Sequence, residues 1–153
     1  MPGRTQTPPI AGELGDLITE VRAGLVDELW RGIRTAGFGD VRVSHDCVFR
    51  YLTADGARLR DIADQSHMTP QSIGEHVDEL ERLGYVERVP DPSDRRAKLI
   101  RPTDKAIAYM AAGRRVLEEI GQQWVGAVGP KALTQVRDTL ADIKALYEPP
   151  AAD

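Results

Sequence analysis

Residues 69–84 constrain the fold more than any other stretch of the chain. Thr69 is a good N-cap, because its hydroxyl can accept from first-turn N–H groups that have no helical partner. Pro70 then falls at the first helical position, where a missing N–H costs nothing. Ile73, Val77 and Leu80 recur at i, i+4 and i+7 and make one apolar face. Gly84 is placed to stop the helix in the left-handed conformation. Upstream, residues 59–64 carry a short helical pattern. Ser66-His67-Met68 makes a tight connection, and His is among the residues that tolerate positive φ. Downstream, residues 85–89 predict a strand, 90–96 a turn and 97–101 the returning strand. The order is helix, turn, helix, hairpin.

A helix presented end-on, with Gln71, Ser72 and Glu75 in its first polar turns, suits a DNA major groove, where such residues meet base edges. Gln71 can pair bidentately with adenine, and Ser72 can contact most base edges. Thr69 and Pro70 open the same end. An arginine-tipped hairpin, carrying Arg95 and Arg96, suits a minor groove, whose negative potential attracts guanidinium groups. Asp94 can orient Arg96 by pairing with it. Arg58, Arg60 and Arg88 are candidate phosphate contacts, which position a protein without carrying sequence information.

The run from Gly84 to Ile100, with Pro102-Thr103 after it, resembles the multiple-antibiotic-resistance regulator (MarR) family of bacterial transcription factors. The hairpin pattern D-P-x-D-x-R-A, followed by a Thr that opens a long helix, carries the resemblance. It covers roughly residues 14–147 and is strongest over the DNA-binding core. The resemblance implies a mainly α (α+β) winged helix-turn-helix lobe with long N- and C-terminal dimerisation helices. It also implies a homodimer on a pseudo-palindromic operator of double-stranded DNA, expected to be a repressor and released by a small aromatic or phenolic effector or by oxidation. Glu75 departs from the pattern, since the family often has Arg there. An acid repels phosphate unless it accepts from a cytosine amine or pairs with a neighbouring Arg. Ser66 stands where a Leu is usual.

The resulting division is a disordered tail over 1–10, a dimerisation helix over 11–36, the DNA-binding lobe over 41–102, dimerisation helices over 103–148 and a second tail over 149–153. Leu14, Leu17 and Val21 recur at helical spacing on the first helix. Leu133, Val136, Leu140, Ile143 and Tyr147 repeat at 3, 4, 3, 4 on the last, the seam of a helix wanting a helical partner. A second helix is expected over 45–53. The long helix after Thr103 has Ile107, Met110, Ala111, Leu117, Ile120, Trp124 and Val128 as its stripe. Trp30, Tyr51, His45 and His76 could line an effector pocket, but each also reads as a core residue. Cys47 reads as a buried structural thiol, because the adjacent Asp46 disfavours a thiolate.

The chain has 153 residues and a net charge of −4, which by itself argues against nucleic acid. The distribution offsets this. Residues 82–105 hold seven basic and four acidic side chains, so they carry +3 and the rest −7. The field that steers association is local. No apolar run reaches membrane-spanning length, and the single cysteine fits a reducing, cytoplasmic setting. There is no Gly-rich phosphate loop and no His/Cys metal spacing, so neither enzyme activity, a metal nor a cofactor is expected. The alternative is a winged-helix protein-interaction module without specific DNA binding, to which the acidic balance and Glu75 point.

Overall fold

A computed structural model describes residues 10–147, except the side chains of Ile10 and Arg95. The expected tails lie outside the described residues, save that Ile10 opens the first helix. The described elements run α1 (Ile10–Thr35), a 3-10 turn (Val43–His45), α2 (Asp46–Phe49), β1 (Ala57–Arg58), α3 (Leu59–Ser66), α4 (Pro70–Arg82), β2 (Val86–Asp91), β3 (Asp94–Pro102), α5 (Asp104–Val128) and α6 (Pro130–Ala145). The strands form one antiparallel sheet in the order β1-β3-β2. This is the winged helix-turn-helix architecture, mainly helical with a small sheet. The described residues as far as Val116 form one compact unit, and those from Leu117 onward a second.

In the first unit, α4 forms as its sequence requires. The Thr69 hydroxyl accepts from the Ser72 backbone N–H at 3.1 Å, and Pro70 occupies the first turn. Ile73, Val77 and Leu80 have no exposed surface. Burying each contributes about 1.5–3 kcal/mol. Gly84 takes φ +79° beyond the helix end, where a side chain would be strained. His67 closes α3 in the left-handed conformation, φ 54°. Behind this motif Phe38, Phe49, Tyr85 and Tyr109 pack their rings together, with Phe49 and Tyr109 centroids 4.6 Å apart. The Tyr85 hydroxyl donates to Asp40 at 2.5 Å. Lys105 donates to the same carboxylate at 2.7 Å and lies 4.2 Å from the Tyr85 ring centre. Thr103 caps α5 and donates to the Gly84 carbonyl at 2.7 Å, locking the sheet's end to the following helix. At Gly32 on α1, an added Cβ would stand 2.7 Å from the Val116 methyls, so only glycine permits this approach to α5.

Several expected boundaries differ. The helix expected over 45–53 is a 3-10 turn plus one four-residue turn, Asp46–Phe49, with no side-chain cap. Its start is diverted because His45 is fully buried and its Nδ1 accepts from the Arg42 N–H at 3.1 Å. β1 was not expected, since two residues are too short to show an alternation; Ala57 pairs with Ile100 and Arg58 with Leu99. The hairpin turn is tighter than 90–96, since only Pro92 and Ser93 separate the strands. The Asp91 carboxylate accepts from the Ser93 N–H at 2.8 Å and from its hydroxyl at 2.7 Å, which closes the chain early. Early in α5, Ala106, Tyr109 and Ala112 are buried while Ile107 is 53% exposed, so the inner face is rotated from the expected stripe.

In the second unit, Ile120 is buried and Trp124 half-buried. α6 has no buried residue; Leu133 and Ile143 are half-buried, and Val136, Leu140 and Tyr147 are exposed.

Candidate functional site

The N-terminal end of α4 is capped and exposed. Thr69, Pro70, Gln71 and Glu75 are exposed and Ser72 is half-buried. The Thr69 hydroxyl is engaged as the cap, so Gln71 and Ser72 hold the free hydrogen-bonding groups of that turn. Glu75 makes no ion pair with a described residue.

The wing is organised by carboxylates. Asp91, 5% exposed, accepts from the Arg58 Nε at 2.7 Å in addition to Ser93. These bonds stabilise the ionised form and pull its pKa down to about 2, the Ser93 hydrogen bonds contributing most and Arg58 next. Arg88 is clamped between Asp78, at 2.5 Å, and Glu81, tying β2 to α4. Two of the three candidate phosphate contacts, Arg58 and Arg88, therefore already hold carboxylates. Arg60 and Arg96 are exposed, and their guanidinium groups pair with no described residue. Asp94 does not orient the Arg96 side chain; it accepts from the Arg96 backbone N–H at 3.0 Å and so stiffens the strand instead. The Arg95 side chain lies outside the described part.

Beside α4 is an open cleft of about 670 Å³, walled by α1, the segment 43–51, the connection 66–68, His76 and Tyr109. It brings together three of the four candidate pocket residues: Trp30, Tyr51 and His76. His45 is not on its wall. It lies behind His76, ring centroids 5.8 Å apart and nearly perpendicular. Because His45 Nδ1 accepts, its Nε2 is free to donate to Glu79, 3.1 Å away, and Glu79 also binds Arg42. This leaves the ring neutral. Burial, with Arg42 and His76 nearby, pushes its pKa down to about 4, against a smaller opposing effect of Asp40. Cys47 lines the cleft, donates to the Ser44 carbonyl at 3.0 Å and is only partly buried. Burial and Asp46 push its thiol pKa up, away from a reactive thiolate.

Sequence reasoning missed Arg22, Arg50, Met68 and Tyr109 on this cleft. Arg22 had a signal, since it interrupts the α1 stripe four residues after Ile18 and three before Leu25. Tyr109 had none, because the inner face of α5 was assigned one position away. Arg50 is paired with Asp46 at 2.6 Å. Among the described residues no cluster of metal-binding side chains occurs, and no helix is long and apolar enough to cross a membrane.

Comparison with known proteins agrees with this geometry. Residues 47–97 match the model of the MarR family. No curated protein matches the chain significantly. A MarR family transcriptional regulator from Rhodococcus sp. RHA1 superimposes with a TM-score of 0.65 at 26% identity, over 91% of this chain and 96% of that one. CouR from Rhodococcus jostii RHA1, solved with p-coumaroyl-CoA, gives 0.66 at 27% identity, over 90% and 95%. A mutant of MepR from S. aureus, solved with an oligodeoxyribonucleotide, shares the fold with a TM-score of 0.62 at 20% identity, over 88% and 98%. The matched segment contains α3, α4 and the hairpin tip, and over it and in overall fold the chain is similar to MarR family transcriptional regulators.

Proposed function

We propose that the chain is a transcription regulator that binds a pseudo-palindromic operator as a homodimer, acts as a repressor and is released by a small ligand. The observation that carries this reading is the exposed, capped end of α4, with Gln71 and Ser72 free to meet bases, beside a wing whose Arg96 guanidinium pairs with no described residue. Thr69, Pro70, Gln71, Ser72 and Glu75 form the major-groove surface. Arg96, with Arg95, enters the minor groove, and Arg60 contacts phosphate. Arg58, Arg88 and Asp94 act one step back by holding the wing. The stripe Leu14, Leu17 and Val21 and the stripe Leu133, Val136, Leu140, Ile143 and Tyr147 form the dimer, which accounts for so many exposed apolar side chains on helices. The 670 Å³ cleft takes the effector, its aromatic wall of Trp30, Tyr51 and Tyr109 suiting a flat ligand. That CouR was solved with an aromatic acyl thioester supports this chemistry. His76 belongs to both α4 and the cleft wall, so a ligand there touches the reading helix itself.

Selection of bound duplexes from a random pool tests the reading. A two-fold symmetric consensus with half-sites about one helical turn apart, near 34–36 Å, is expected. Recovery of no consensus, with no retention of duplex at low salt, would instead support a winged-helix interaction module. Glu75, which makes no ion pair with a described residue, and the neutralised Arg58 and Arg88 favour that second reading.

A further inference from the structure

A second cleft, of about 520 Å³, shares Val26, Trp30 and Val43 with the larger one. Its lining differs in character. Arg31, Arg34 and Arg42 face a single carboxylate, Asp27. Arg42 is held by Glu79, whereas the guanidinium groups of Arg31 and Arg34 make no hydrogen bond or ion pair with a described residue. They stand three residues apart on α1, so both guanidinium groups project from one side of a rigid helix. Two unpaired cations beside one another repel unless an anion joins them. That arrangement is unexpected in a chain of net charge −4, where carboxylates are plentiful. Guanidinium forks match phosphate oxygens bidentately. The nonpolar floor of Val26, Val41 and Trp30 lowers the local dielectric and strengthens such pairs.

We propose that this cleft binds the phosphate groups of an organic phosphate whose nonpolar body occupies the larger cleft. The shared wall of Val26, Trp30 and Val43 lets one ligand run from one cleft into the other. The placement of the body rests on the effector reading given above; the binding of phosphate by the arginines does not.

Calorimetric titration of the full chain with pyrophosphate and with coenzyme A, at about 50 mM salt where screening is modest, tests the proposal. Both probes should bind, coenzyme A more tightly. R31Q/R34Q should weaken both at least about tenfold, since each lost charged pair with phosphate is worth roughly that factor. D27N, which removes the one opposing charge, should tighten both. The three proteins should bind duplex DNA alike. Absence of binding by either probe, or equal binding by R31Q/R34Q and the parent, would overturn the proposal. So would a loss of DNA affinity in R31Q/R34Q, which would assign the arginines to the DNA interface. If no form bound DNA, the regulator reading would fail while the anion titration remained readable by itself.

Discussion

His45 shows how one side chain can hold α4 in place. It is fully buried, accepts from the Arg42 N–H and is placed to donate to Glu79 of α4. Its pKa falls from 6.5 to about 4 on folding, so between these values the unfolded chain binds the extra proton and the folded chain does not. The stability this contributes is present in full above pH 6.5 and is lost as pH falls towards 4. His45→Gln should lower the melting temperature at pH 7.5 but flatten its decline between pH 6.5 and 4.5; parallel declines would show that His45 does not carry it. Arg96 is the opposite case, an exposed cation whose guanidinium pairs with no described residue. Replacing it with alanine should cost operator binding about 1–3 kcal/mol, roughly tenfold to a hundredfold, with the dimer intact. Unchanged affinity in an anisotropy titration would remove the wing tip from the interface.

At the scale of elements, the wing is held by one buried carboxylate. Asp91 binds Arg58 on β1 and both polar groups of Ser93 in the turn. Asp91→Ala should therefore reduce DNA affinity by loosening the tip, while the melting temperature drops by only a few degrees; an undiminished affinity would show that wing geometry is irrelevant. Such ties explain what was legible in the sequence. Residues 69–84 were readable because cap, proline, stripe and stop are local signals, all satisfied by α4. The short Asp46–Phe49 helix and the two-residue β1 were not, because both depend on distant partners: Glu79 for the first and Ile100 and Leu99 for the second. The same limit applied at the site. Arg58 and Arg88 read as free cations until the fold set Asp91, Asp78 and Glu81 against them. His76 and Trp30 were candidates on residue type alone, and Tyr109 joined them only through the phase of α5.

For the whole molecule, the proposed function has to account for how a chain of net charge −4 would approach DNA. Within the basic stretch 82–105, Arg82, Arg88 and Lys105 are paired internally, so among the described side chains the steering field rests on a few groups: Arg96, Lys98 and Arg101, with Arg60 from α3. One such lobe has few phosphate contacts, and two lobes on one operator double them. The proposed function therefore requires the proposed dimer. Leu140, on the exposed α6 stripe, is 39% exposed in the single chain. Leu140→Asp should give a monomer in sedimentation, with DNA affinity reduced by orders of magnitude; a stable dimer would place the interface elsewhere.

The most direct measurement of the account is the affinity for a duplex from upstream of the chain's own gene, followed across salt concentration. Specific recognition by two basic reading heads predicts tight binding, resistance to competitor DNA and a linear fall of log affinity with log salt, its slope corresponding to several neutralised phosphates. A flat salt dependence, or affinity no greater than for random duplex, would contradict it.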